Sequence, residues 1–377
     1  MSQADLIVQQ ILEHLEQRID HTHVEHARAR RRAALDYAPV DRLPLTIFLP
    51  YESADFAPYP SAEAFADPAK MMVNELLVGF TSLYHAVDLR DDAPYCLRPN
   101  VGTTIVASMF GAEIRLVENN PPWVMPFSDV KRIREIVNAP LPDVRAGLGQ
   151  RVMDQYAYYH AAVVDYPRCR AAFDFTLPDL QGPFSIAELL LGSAVYPVFY
   201  DDVELVRALL DKTTAQMIRV YKAIIGLTRD RAGEGYCHQH AVMVKGSPLI
   251  RDDSMVNLSP KMYRQVVLPY DQRLGDELGG VGVHFCGNGM HQVDNLLSIA
   301  SVRSLDFGQA DKNDVDAVYA QAAPKQVALS RVRAPESELN AARLKRRFPT
   351  GVCLVHTPQS VEHAHALLKQ YLAAESK

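Results

Sequence analysis

The chain has 377 residues, 48% hydrophobic and 22% charged, with a formal net charge of −6. That is the composition of a globular protein with a large core, and its acidic balance argues against a nucleic-acid-binding surface. No stretch approaches the ~20 apolar residues of a membrane span, Met1-Ser2-Gln3-Ala4-Asp5 lacks the layout of a signal peptide, and five scattered cysteines do not suggest a disulfide framework, so a cytoplasmic protein is expected.

Residues 5–37 are predicted to be helical, because Leu6, Ile7, Ile11, Leu12 and Leu15 recur at helical spacing. The run Arg28-Ala29-Arg30-Arg31-Arg32 is expected to be a solvated face of that helix. Pro39 and Pro44 end the segment, and Leu45–Leu49 reads as a strand stopped by Pro50. Residues 50–130 are irregular and rich in Pro, Asp and aromatics. They are expected to hold a helical piece at 69–88, a strand pair at 103–107 and 113–117, and the turn Pro121-Pro122-Trp123. This region is predicted to be an insertion or cap.

From about residue 140 strands and helices alternate. Helix 147–164 precedes strand 171–176. Helices 185–191 and 202–228 lead to strand 236–242. Helix 259–278 leads to strand 282–285, helix 289–299 to 302–307, helix 313–322 to 326–332, and helix 336–347 to 352–356. Helix 360–374 follows. Short, apolar, β-branched strands alternating with helices are the pattern of parallel βα units. The expected fold is therefore a (β/α)8 TIM barrel in a single domain spanning 1–377, with an N-terminal helical segment over 1–40. A doubly wound open sheet competes, but no G-x-G-x-x-G turn follows an early strand.

In a βα barrel the functional groups sit at the C-terminal strand ends. His284 and Cys286 are two apart in a strand, so imidazole and thiol share a face. Cys353 lies in another apolar run, Val352-Cys353-Leu354-Val355. These three donors suit a zinc ion that keeps an open fourth position. His238 and His240 share a face of strand 236–242 and are candidates for acid/base work or a further ligand. Asp179 and Gln181 follow strand 171–176, Asp252 and Asp253 precede the helix start Ser259-Pro260, and Asp306 closes strand 302–307. These five are candidate substrate contacts. Cys96 and Cys169 have no partner pattern and are expected to be core fillers.

Several short segments together resemble the uroporphyrinogen decarboxylase superfamily, and within it the zinc-dependent, corrinoid-linked methyltransferases. They are Arg32-Ala33-Ala34-Leu35 before Asp41-Arg42-Leu43-Pro44, and Gln181-Gly182-Pro183-Phe184. Further along come Asp252-Asp253 before Leu258-Ser259-Pro260-Lys261-Met262-Tyr263, and Leu268-Pro269-Tyr270. The last are His284-Phe285-Cys286-Gly287, and Cys353 before Thr357-Pro358. The resemblance covers most of the chain. It implies a (β/α)8 barrel with zinc on His284, Cys286 and Cys353, and transfer of a methyl group between a small thiol, methoxy or methylamine compound and a methylated corrinoid (cobalamin). The true decarboxylases carry an arginine-rich loop after the first strand, whereas Pro50-Tyr51-Glu52-Ser53-Ala54 stands here. The chain also lacks an Asp-x-His-x-x-Gly cobalamin motif, so the corrinoid is expected on a separate partner protein. Superfamily members are often dimers. The alternatives are a metal-independent lyase acting on a carboxylated substrate, and a barrel that only binds a tetrapyrrole or corrinoid.

Overall fold

The computed structural model describes residues 2–116, 120–127, 129–228 and 234–374. Among these, the strands in chain order are β1 (Leu45–Ile47), β2 (Tyr95–Leu97), β3 (Glu113–Arg115), β4 (Trp123–Met125), β5 (Phe173–Phe175) and β6 (Tyr236–Gln239), followed by β7 (Val242–Lys245), β8 (Leu249–Arg251), β9 (Val281–Phe285), β10 (Val302–Phe307), β11 (Ala328–Val332) and β12 (Val352–His356). Six of them form one sheet in the order β1-β12-β11-β10-β9-β8, parallel throughout. β2 and β5 form a separate parallel pair, while β3–β4 and β6–β7 are antiparallel pairs. The class is mixed α/β, with helices in the crossovers of the parallel sheet.

Strand alternation sorts the sheet into two faces. Val281, Val283, Phe285, Leu305, Phe307, Leu329, Val352 and Leu354 belong to the main core, together with Leu274, Val318, Leu344 and Leu367 from the helices. Phe285 and Phe307 meet edge to face, with ring centroids 5.4 Å apart. The residues between them in sequence are small or polar: Gly282, His284, Ser304, Asp306, Ala328, Ser330 and Cys353. Small side chains leave room for more backbone, and the β6–β7 hairpin lies there. Ser304 Oγ donates to the Lys245 carbonyl at 2.6 Å. Tyr236 and Met243 pack on Ala328 and Cys353, and Cys237, Val242 and Val244 pack on Val355. A Cβ on Gly282 would come 2.7 Å from Ser304 Oγ.

Side chains take over the outer edge of β1. The Leu45 amide donates to Asp92 Oδ2 at 3.0 Å and the Ile47 amide to Asp91 Oδ2 at 2.5 Å. The Leu49 amide donates to Thr81 Oγ1 at 3.0 Å, and that hydroxyl donates to the Ile47 carbonyl at 3.3 Å. The Asp92 amide returns to the Leu45 carbonyl at 2.9 Å. At the other edge of the sheet, β8 is bridged in parallel by Gln181, with the Arg251 amide on the Leu180 carbonyl and the Gly182 amide on the Arg251 carbonyl. Edge groups that would otherwise be buried without partners are satisfied at both ends.

Several expectations are corrected. The N-terminal helix is two helices, Gln3–Arg18 and His21–Leu35; Asp20 breaks it and caps the second through the His23 amide. Arg28 and Arg31 are buried, Arg31 donating to the Asp92 carbonyl at 2.5 Å, so that run is only partly a solvated face. Ile105–Met109 is helical, and β3 pairs with β4 instead. Region 50–130 contains β2, so it is more than a cap. Segment 236–242 is the first strand and turn of a hairpin. Pro183–Asp201 has the length and apolarity of a membrane span, but half of it is buried inside the fold and its regular helix stops at Leu191, as in a core helix. The five cysteines are free thiols.

Candidate metal centre and adjoining cavity

His284 is the fourth residue of β9 and registers against Asp306 of β10. Its Nδ1 donates to Asp306 Oδ2 at 2.5 Å, and Arg331 Nε donates to both oxygens of the same carboxylate at 2.8 and 2.9 Å. Burial works against the Asp306 charge, but Arg331 and His284 hold its carboxyl well below the usual range. A proton fixed on Nδ1 leaves the lone pair on Nε2. Burial, and then Arg251, push the imidazole below its ordinary pKa, so it is neutral and able to ligate.

Around Nε2 lie Cys286 Sγ at 3.6 Å and Asp253 Oδ1 at 3.7 Å. The Cys286 amide donates to Asp253 Oδ1 at 2.7 Å, which locks that carboxylate beside the thiol. Tetrahedral zinc with bonds of about 2.0–2.3 Å separates its ligands by roughly 3.3–3.8 Å; both distances from Nε2 fall in that range, and the three donor atoms all lie within 4.8 Å of one another. One imidazole, one thiol and one carboxylate are a zinc donor set. Gly308, just past β10, keeps the place open: a Cβ there would come 2.4 Å from Cys286 Sγ and 3.2 Å from His284 Nε2. Burial, and then Asp253, push the Cys286 thiol up to about 11; an ion would be needed to draw off its proton at neutral pH.

Cys353 is not brought to this group, whose third donor among the described residues is Asp253. Cys353 is only the second residue of β12 and is packed with Leu35, Tyr236, Met243 and Ala328. Alternation fixes its face correctly, but the hairpin covers that face. Burial pushes this thiol up to about 12.

A second cluster adjoins the first. The hairpin tip, His240-Ala241, has left-handed backbone at both residues, with φ of 51° and 57°. This lifts His240 over the strand ends, where Phe80 stacks on it at 3.6 Å between centroids. His240 Nε2 meets Asp179 Oδ1 at 2.7 Å. Arg98 Nη1 donates to Asp179 Oδ2 at 2.6 Å, and the Gln239 side-chain Nε2 also donates to that carboxylate. Burial opposes ionisation of Asp179, but Arg98, His240 and Arg251 hold its carboxyl well below the usual range. Burial, with Arg251 and Arg98, drives the His240 imidazole well below its usual pKa. Arg251 joins the two clusters, with Nη1 2.9 Å from His240 Nε2 and Nη2 3.2 Å from His284 Nε2. A cavity of about 590 Å³ opens over Arg98, Asp179, His240 and Arg251.

The other expected positions lie elsewhere. His238 is fully buried, Nε2 being 3.7 Å from Asp174 Oδ2, on the hairpin but away from its tip. Asp252 is buried, its Oδ1 accepting from Ser185 Oγ at 3.4 Å. Gln181 is buried and pairs through its backbone with Arg251. Asp306 is committed to His284 and Arg331. Sequence reasoning missed Arg98, Arg251, Arg331 and Phe80. Arg98 directly follows β2 and Arg251 ends β8, two strands that sequence reasoning left unassigned; Arg331 lies in an expected strand and was readable there.

No family model and no curated protein matches the chain. Among solved structures, a methyltransferase from Methanosarcina mazei matches with a TM-score of 0.64 over 91% of this chain and 97% of that one, at 17% sequence identity. At that identity the likeness shows a shared fold.

Proposed function

We propose that the chain is a (β/α)8 barrel enzyme, its eight strands being the six-stranded sheet completed by β2 and β5. It moves a methyl group between a small substrate and a corrinoid carried by a separate protein, with zinc held by His284, Cys286 and Asp253. The observation that carries this reading is the carboxylate–histidine–thiol arrangement. Asp306 fixes the His284 tautomer, and three donor atoms converge where Gly308 leaves space. A carboxylate behind the ligating histidine is a recurrent support of zinc sites. The fold shared with a methyltransferase is consistent with this chemistry.

When bound, zinc supplies a positive centre that lowers the pKa of a substrate thiol and holds its thiolate. Arg331 and Asp306 keep the Nε2 lone pair of His284 directed at the site. Ligation there uses the lone pair that now accepts from Arg251 Nη2, so Arg251 must turn aside. His240, neutral beside ionised Asp179, is placed to take the substrate proton. In the thiol-methylating direction the partner's methylated corrinoid would supply the methyl group as an electrophile, while the residues around His284 and His240 would hold the acceptor thiol and take its proton.

Metal analysis of protein purified without chelator tests the assignment. About one zinc per chain is expected in the wild type and in Cys353→Ser, with loss in Cys286→Ser and His284→Ala. A wild-type content below about 0.2 per chain, unchanged in Cys286→Ser, refutes the metal claim. The second reading, a metal-independent lyase on a carboxylated substrate, is favoured by the His240–Asp179 pair flanked by Arg98 and Arg251, which needs no ion to assemble. It requires full activity in chelator.

A further inference from the structure

We propose that the cavity over Arg98 and Arg251 is the subsite for an aryl carboxylate, with the acid on the two guanidinium groups and the ring on the aromatic wall. This names the small substrate of the reading above and in that sense rests on it. The cavity, of about 590 Å³, is lined on one side by Phe80, Pro121, Pro122 and Trp123 and on the other by Arg98 and Arg251. Its volume suits a ligand of small-molecule size. Trp123 is 65% exposed, which leaves an indole in water unless something flat covers it, and Phe80, stacked on His240, adds a partly exposed edge to the same wall.

The polar wall carries two guanidinium groups, those of Arg98 and Arg251. Arg98 Nη1 and Arg251 Nη1 both lie within hydrogen-bond distance of His240 Nε2, so one carboxylate can reach both. Asp179 is the carboxylate among the lining residues; it is engaged by Arg98, Gln239 and His240, with Arg251 Nη1 farther off at 3.7 Å. Glu75 is buried behind Arg98, with its Oε2 3.7 Å from Arg98 Nε. The Nε atoms of Arg98 and Arg251 are buried without a hydrogen-bond acceptor. Arg251 Nη1 and Nη2 lie 3.0 and 3.2 Å from the ring nitrogens of His240 and His284, with Asp179 Oδ1 3.7 Å from Nη1; a bound carboxylate would be a stronger acceptor than an imidazole nitrogen. Paired guanidiniums match a carboxylate's fork; the flat wall selects a ring over an alkyl chain.

The chain has one tryptophan, Trp123, so its emission reports this cavity alone. In chelator-treated protein, 4-methoxybenzoate is expected to change that emission saturably. The uncharged isostere 4-methoxybenzamide should bind about tenfold more weakly or worse, and acetate or inorganic phosphate should not reproduce the change. Arg251→Lys should weaken the acid about tenfold and leave the amide where it was. If that variant does not fold, the acid-to-amide comparison in the wild type decides. Equal affinity for acid and amide, no saturable change with either, or an equal response to phosphate overturns the proposal. Those results leave the zinc content untouched, whereas a zinc-free wild type that binds the acid refutes the metal reading and keeps this one.

Discussion

His284 shows how much one residue's chemistry depends on its neighbours. Asp306 accepts the hydrogen bond from Nδ1, so the Nε2 lone pair faces Cys286, Asp253 and Arg251. The pairing of His284 with Cys286 was legible in the sequence, because a period of two puts them on one face. The same rule failed for Cys353: alternation gives a face, but neither the height along the strand nor what covers it. Gly308 tests the local geometry. In Gly308→Ala the new methyl meets Cys286 Sγ at van der Waals overlap, so zinc affinity should drop about tenfold by competition with a chromogenic chelator. If the clash is the cause, the melting temperature lost in Gly308→Ala should be recovered in the double variant with Cys286→Ala; a loss that persists there assigns the effect elsewhere.

At the scale of the element, the β6–β7 hairpin decides the site. It fills the small-residue face of the sheet and delivers His240 to the strand ends. Tyr236–Val242 reads as one continuous strand because its turn residues, His240 and Ala241, carry no Asn-Gly or Asp-Gly signal. Their left-handed backbone is held by the surrounding packing. Ala241→Gly should relieve that cost and stabilise the protein by about 0.5 kcal/mol in urea unfolding. A destabilisation of about 1 kcal/mol or more would mean that the buried methyl outweighs the backbone. Strands β9 to β12 were readable as alternating apolar runs, β10 and β12 with their observed bounds. β2 and β8 were not: Tyr95–Leu97 lies in the Pro- and Asp-rich stretch that reads as irregular, and Leu249–Arg251 follows directly on a hairpin that reads as a single strand.

The whole molecule depends on how the edge of β1 is closed by side chains. Thr81→Val keeps the shape but strands the Leu49 amide and the Ile47 carbonyl. A loss of about 1–3 kcal/mol is expected by urea denaturation, and a value near zero would mean that other groups take over. Burial pushes the Asp91 carboxyl up to about 7 from 3.8. The folded state therefore binds this proton more tightly than the unfolded one, and the group's contribution to stability falls as pH rises from about 4 through 7. Unfolding free energies at pH 5 and pH 8 should fall less steeply in Asp91→Asn than in the wild type; equal slopes would remove Asp91 as the cause.

The sequence by itself determined the alternation of strand and helix, the two faces of the later strands, and the His284–Cys286 pair, because each follows from spacing along one segment. Only the tertiary structure decided that Asp253 rather than Cys353 completes the donor group, that a hairpin occupies the inner face, and that Arg98 and Arg251 meet over His240. Those contacts join residues tens to more than a hundred positions apart, and periodicity along the chain carries no information about which distant segments share a space.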